Sequence, residues 1–90
     1  MTDPLLGRIL EDRVAVVTGG SRGIGAGLAA ALSNAGARVL ISGRNEQSLA
    51  ETATAIGATP VVADACDREQ AGEPVRQAIK RFGGIDILVN

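Results

Sequence analysis

An unbroken apolar run, Val14-Ala15-Val16-Val17, leads straight into Thr18-Gly19-Gly20-Ser21-Arg22-Gly23-Ile24-Gly25, and an alanine-rich stretch with helical spacing follows. A continuous apolar run marks a strand covered on both faces, the arrangement of a parallel sheet. Glycines directly behind it permit a tight strand-to-helix turn and a close approach to the backbone. The unpaired N–H groups at the start of the helix then face outward, where an anion can sit. Strand, glycine turn and small-residue helix together predict a cradle for the phosphates of a dinucleotide. Gly19 is expected to allow the exit from the strand, Gly23 the approach of a pyrophosphate, and Gly25 the packing of the helix against the sheet. A glycine-rich turn with no ligand is the competing reading.

The same alternation continues along the chain. After the first strand, Ile24, Leu28, Leu32 and Ala35 recur at helical spacing and Gly36 supplies a stop. Arg38 to Ser42 reads as a second strand. Gly43-Arg44-Asn45 turns into a second helix with Leu49, Ala53 and Ile56 as its apolar stripe, ended by Gly57. Thr59 to Ala63 is the third strand. Asp67 reads as an N-cap for a third helix, whose clear part, Pro74 to Phe82, carries Val75, Ala78, Ile79 and Phe82 at i, i+3, i+4 and i+7. Gly72 and Pro74 predict either a kink or a late start with Pro74 in the first turn. Ile85 to Val89 is the fourth strand. Right-handed crossovers turn β-α-β-α-β-α-β into a three-layer, Rossmann-type parallel sheet in the order 3-2-1-4. The topological switch falls between strands one and four, beside the glycine turn. Residues 1–12 read as a lead-in and 13–90 as one incomplete nucleotide-binding domain.

Composition excludes several kinds of chemistry. The 90 residues contain no His, Tyr or Trp, and Lys80 is the one lysine. A serine or cysteine nucleophile activated by histidine cannot be assembled, nor can a zinc site of clustered Cys and His. A net charge of −1 with interspersed signs argues against nucleic acid or an anionic membrane surface as partner. No apolar run is long enough to span a bilayer, and Met1 to Leu10, with Asp3 and Pro4, does not read as a signal peptide. The single Cys66 fits a reducing cytoplasm and reads as a small packing residue. Hydrophobic residues make up 46% of the chain with Phe82 the one aromatic, so the core must rest on many small contacts.

The spacing is T-G-x-x-x-G-x-G rather than G-x-G-x-x-G, since the position after Gly23 and Gly25 that would complete the latter is Leu28. No Lys-Ser or Lys-Thr follows the last glycine, which excludes a Walker A loop. On these residues the chain resembles the short-chain dehydrogenases/reductases, and among them the oxoacyl-carrier-protein-reductase-like members. Thr18, Gly19, Gly23 and Gly25 match the glycine motif. Asp64 matches the acidic residue after the third strand, and Asp86, Leu88, Val89 and Asn90 match the opening of D-x-L-V-N-N-A-G. The resemblance runs from about Asp12 to Asn90. It implies cofactor contacts from the turn residues Gly19, Ser21, Arg22, Gly23, Ile24 and Gly25. It also implies that Asp64 hydrogen-bonds the adenine amino group with Ala65 beside it, and that Asn90 lies along the adenosine half. A turn-capping role is the alternative for Asp64.

Cofactor choice is read at the end of the second strand. An NAD site places an acid about 20 residues after the glycines to bind the ribose 2′-hydroxyl. Here that place holds Gly43, followed by Arg44. Loss of the carboxylate removes a repulsion, and a planar guanidinium clamps a phosphate. A charge pair about 4 Å apart near a surface has a raw attraction of roughly 4 kcal/mol. Arg44, with Arg22 as a second cation, favours NADP(H) over NAD(H); a solvated arginine is the alternative for each.

The resemblance also implies hydride transfer at a carbonyl or alcohol carbon, using a Ser and a Tyr-x-x-x-Lys beyond the fourth-strand motif, and a dimeric or tetrameric parent. This sequence contains no Tyr. It opens with Met1 and stops inside that motif, which is expected of a native start and a cut end. The expectation is therefore the NADP(H)-binding part of a reductase, inactive alone. The alternative is a free-standing nucleotide-binding module. As an isolated chain, its exposed fourth strand is expected to invite pairing and aggregation.

Overall fold

A computed structural model describes residues 9–90. The element order is β1 (Val14–Thr18), α1 (Gly23–Asn34), β2 (Arg38–Gly43), α2 (Glu46–Ile56), β3 (Thr59–Val62), α3 (Glu73–Phe82) and β4 (Ile87–Val89). The strands form one parallel sheet in the order β3-β2-β1-β4, as the alternating pattern predicts. Val14 pairs with Arg38 and Thr18 with Ser42 across β1 and β2, while Ala15 pairs with Ile87 and Val17 with Val89 across β1 and β4.

Strand periodicity splits the apolar residues into two cores. Ala15, Val17, Val39 and Ile41 point to the face covered by α1 and α2, where they meet Ala29, Leu49 and Ala53. Val14, Val16 and Leu40 point to the other face, against Ala78 of α3, with Phe82 and Ile85 packed alongside. Because β1 and β2 are covered on both faces, their apolar runs are continuous instead of alternating. Leu49 is fully buried; burial of a leucine side chain contributes about 1.5–3 kcal/mol.

The helix ends follow local chemistry. The Asn45 side chain accepts a hydrogen bond from Ser48 N at 2.9 Å and caps α2, and Gly57 ends it in the left-handed region at φ 74°. α3 starts at Glu73 with Pro74 in its first turn. Of the two sequence readings for this helix, the late start is the one observed. Asp67 therefore caps a turn and not a helix: its Oδ1 accepts from Glu69 N at 2.9 Å and from Gln70 N at 3.2 Å. On α3, hydrogen bonds from Gln77 and then Arg76 hold the Glu73 carboxyl below the usual range.

Two apolar stripes and one strand start differ in part from expectation. On α1 the buried residue is Ala29, while Ile24 and Leu28 are 85% and 43% exposed. Leu32, of the expected stripe, is partly buried and packs against the same core as Ala29. On α3 the expected Ala78 is buried and Phe82 packs beside it, but Ile79 faces solvent and Pro74, outside the stripe, is buried. β4 begins at Ile87, two residues later than its apolar pattern suggests, because Asp86 closes off its start: Val14 N donates to Asp86 Oδ2 and Asp86 N to the Val14 carbonyl, both at 2.8 Å. Leu88 is half-exposed on β4. The lead-in assigned to residues 1–12 lies largely outside the described residues, as does most of the Met1 to Leu10 segment. Of its described part, Leu10 N donates to the Ala35 carbonyl at 2.8 Å.

Candidate functional site

Parallel strands leave their carboxyl ends along one edge of the sheet, and in such sheets ligands bind there. At that edge a cleft of about 670 Å³ opens over the ends of β1, β2 and β3. Its walls bring together residues distant in sequence: Gly19, Ser21 and Arg22 from the glycine turn, Ser42 to Asn45 from the end of β2, and Ala63 to Cys66 from the end of β3.

The turn is built around two glycines in the left-handed region, Gly19 at φ 71° and Gly23 at φ 66°. A Cβ on either would meet nothing within 4 Å, so the backbone there is open to an approaching group. Gly20 and Gly25 have the opposite character. A Cβ on Gly20 would lie 2.8 Å from Ile41 Cγ2, and one on Gly25 would lie 2.5 Å from the Gly19 carbonyl oxygen. Gly25 thus seats the helix on the turn itself rather than on the sheet. Arg22 occupies the N-cap position in an extended conformation without a side-chain cap, which leaves the first N–H groups of α1 unclaimed by it.

Two polar tethers fasten the turn. Gly20 N donates to the Ser42 carbonyl at 3.0 Å, and the Thr52 hydroxyl of α2 donates to the Ser21 carbonyl at 2.7 Å. Ser21 also lies against β2: a Cβ on Gly43 would be 3.4 Å from Ser21 Oγ. Arg22 and Arg44 are exposed side chains on the cleft wall. At the β3 end, Asp64 Oδ1 accepts from Cys66 N at 2.9 Å, closing an Asx turn, and Asp64 N donates to Gln70 Oε1 at 2.9 Å. Asp64 Oδ1 thus closes this turn, and the second carboxylate oxygen lies outside that bond.

Of the sequence-predicted residues, Gly19, Ser21, Arg22, Arg44, Asp64 and Ala65 share this cleft. Gly23, Ile24, Gly25 and Asn90 lie outside its lining. Asn90 sits beyond β1, where Thr18 Oγ1 donates to Asn90 Oδ1 at 3.1 Å and to the Val89 carbonyl at 3.2 Å. The cleft thus covers the β1–β2–β3 side, and Thr18 ties together the strand ends at the β1–β4 switch. Cys66 is exposed and lines the cleft, a correction to its reading as a packing residue. Sequence reasoning missed Asn45 and Thr52; Thr52 carries no motif and is 31 positions from its partner. Among the described residues no group of His, Cys, Asp and Glu could hold a metal ion, and no helix is long and apolar enough to cross a membrane.

A parallel 3-2-1-4 sheet with a glycine-lined cleft over its carboxyl edge is a Rossmann-type α/β fold. The chain belongs to the short-chain dehydrogenase family, whose model matches residues 13–90. It is 46% identical over 88 residues to an uncharacterized oxidoreductase of Staphylococcus saprophyticus, covering 90% of this chain and 37% of the relative. It is 45% identical over 87 residues to the short-chain dehydrogenase/reductase FrzI of a Cladobotryum species, covering 90% of this chain and 34% of the relative. The apo-form of glucose dehydrogenase from Caenorhabditis elegans superposes with a TM-score of 0.83 at 36% identity, covering 90% of this chain and 38% of that one. A short chain dehydrogenase from Mycobacterium smegmatis superposes at 0.85 with 30% identity, covering 91% of this chain and 37% of that one. The chain thus spans little more than a third of the length of these proteins. Family membership implies a nicotinamide dinucleotide cofactor.

Proposed function

We propose that this chain is the NADP(H)-binding part of a short-chain dehydrogenase/reductase, the whole of which moves hydride between NADPH and a carbonyl or alcohol carbon. The observation that carries the reading is the cleft wall at the end of β2. There Gly43 stands where an NAD site needs an acid, and Arg44 and Arg22 share the same cleft. The open backbone at Gly19 and Gly23 suits a pyrophosphate, because a Cβ at either would fill that space.

In this reading the N–H groups at the start of α1, with Gly19, Gly23, Ile24 and Gly25 shaping the turn, hold the pyrophosphate. Ser21, Arg22 and Arg44 hold the 2′-phosphate, Asp64 and Ala65 border the adenine, and Asn90 lies along the adenosine half. The nicotinamide, when bound, supplies or accepts hydride. These residues include no tyrosine, so the family's proton donor lies outside them and the chain alone is inactive. The parent is a homodimer or homotetramer in a reducing cytoplasm, in keeping with the unpaired Cys66.

Calorimetry on the full polypeptide carrying these residues tests the cofactor choice. Arg44→Ala should weaken NADP binding about tenfold or more, the scale of one charge-assisted phosphate contact, and leave NAD binding nearly unchanged. Equal losses for both would refute the 2′-phosphate role. A free-standing nucleotide-binding module is the second reading, favoured by the lack of tyrosine. The coding DNA beyond the Asn90 codon separates the two. An open frame giving Asn-Ala-Gly, then Ser and Tyr-x-x-x-Lys, supports the reductase, and a stop directly after Asn90 supports the module.

A further inference from the structure

The glycine turn is held from outside itself at two points, and the Ser21–Arg22 half has one long-range polar tether among the described residues: the Thr52 hydroxyl, 2.7 Å from the Ser21 carbonyl. No peptide bond of the described chain is cis. In a trans peptide the carbonyl and the following N–H point in opposite directions. With the Ser21 carbonyl turned to α2, the Arg22 N–H points away from α2. If this peptide flipped, an acceptor would replace a donor next to the Arg22 side chain and the uncapped start of α1. An anion binds donors and is repelled by an outward carbonyl oxygen.

We propose that Thr52 is a positioning residue for nucleotide binding: by holding the Ser21 carbonyl against α2 it fixes the Ser21–Arg22 peptide with its N–H outward, so that the turn meets an anionic group with donors. The inference rests on the reading of the cleft as a dinucleotide site. Glycines on both sides of this peptide sharpen the need for a tether. Gly19 and Gly23, both at positive φ, have few steric barriers to rotation. Threonine suits the task because its hydroxyl donates to the Ser21 carbonyl from a part-buried position. Valine has the same shape and cannot donate.

The experiment compares Thr52→Val and Thr52→Ser with the unaltered protein, using the full polypeptide carrying these residues. NADPH and NADH dissociation constants are read by nucleotide fluorescence, with melting temperature read without nucleotide. Thr52→Val should weaken NADPH binding by about tenfold, the scale of one lost hydrogen bond to the ligand-binding conformation. Thr52→Ser, which keeps the donor, should stay within about twofold. In a reductase assay the KM for NADPH should rise in Thr52→Val with kcat nearly unchanged. Melting temperatures that fall for Thr52→Val while NADPH affinity is unchanged would overturn the proposal, since Thr52 would then be structural only. A loss in Thr52→Ser as large as tenfold would also overturn it, and this arm stands even if Thr52→Val does not fold. If the unaltered protein binds neither nucleotide, the reading of the cleft fails and takes this proposal with it. Binding by the unaltered protein with no change in the variants removes this proposal alone.

Discussion

Gly25 faces the Gly19 carbonyl so closely that a Cβ on it would lie 2.5 Å from that oxygen. The obstacle is backbone and cannot swing aside, so Gly25→Ala must shift α1 away from the turn. Overpacking costs about 1–3 kcal/mol, more than the roughly 1 kcal/mol that alanine gains over glycine in a helix. Gly27, two residues on, has nothing within 4 Å of its would-be Cβ. The paired expectation is a lower melting temperature for Gly25→Ala and an unchanged or higher one for Gly27→Ala, by about 0.5–1 kcal/mol.

Gly43 is expected to set cofactor preference without setting stability. A Cβ there would meet Ser21 Oγ at 3.4 Å and Leu49 Cδ1 at 3.5 Å, which is ordinary contact. Gly43→Asp should fold normally, lose NADP binding through carboxylate–phosphate repulsion and bind NAD at least as well. Circular dichroism with calorimetry for both nucleotides checks this. Retained NADP affinity would refute the placement of the 2′-phosphate at this wall.

Asp86 and Arg13 form an ion pair of 3.5 Å, with both side chains well exposed. Such pairs contribute about 0–1 kcal/mol. The Asp86 bond to Val14 N, at 2.8 Å, is charge-assisted and joins the start of β4 to β1; bonds of that kind contribute roughly 1.5–3 kcal/mol. Arg13→Ala should therefore cost little and Asp86→Ala about three times more in urea unfolding. Equal costs would mean that the pair, not the backbone bond, holds β4.

β4 lies at one edge of the sheet with Leu88 52% exposed, and Ile24, 85% exposed, projects from α1. Unpaired strand edges with apolar side chains template association. A polypeptide of residues 1–90 should form oligomers or aggregates, and Leu88→Lys should shift it toward monomer in sedimentation experiments. A monomeric unaltered chain at high concentration would refute this.

Much of the molecule is legible in its sequence. Four apolar runs separated by helical patterns, each ended by glycine, determined the β-α alternation and, with right-handed crossovers, the 3-2-1-4 order. Thr18, Gly19, Gly23 and Gly25 marked the turn, and Asp64 and the Asp86–Asn90 segment completed the family signature. These signals are local, carried by residues close in sequence, so they survive without a fold.

Periodicity names the buried Leu49, Ala53 and Ala78, but which other positions are covered was decided only in three dimensions. Ile24, Leu28 and Ile79 of the same patterns are exposed, and Ala29 and Pro74, outside them, are buried. The cleft, too, belongs to tertiary structure. Ser21 meets Gly43 and Thr52 because parallel strands bring their carboxyl ends to one edge, a relation between residues 22 to 31 positions apart that no local pattern encodes. The glycine turn was written in the sequence, whereas its anchoring by Thr52 was settled by the packing of α2.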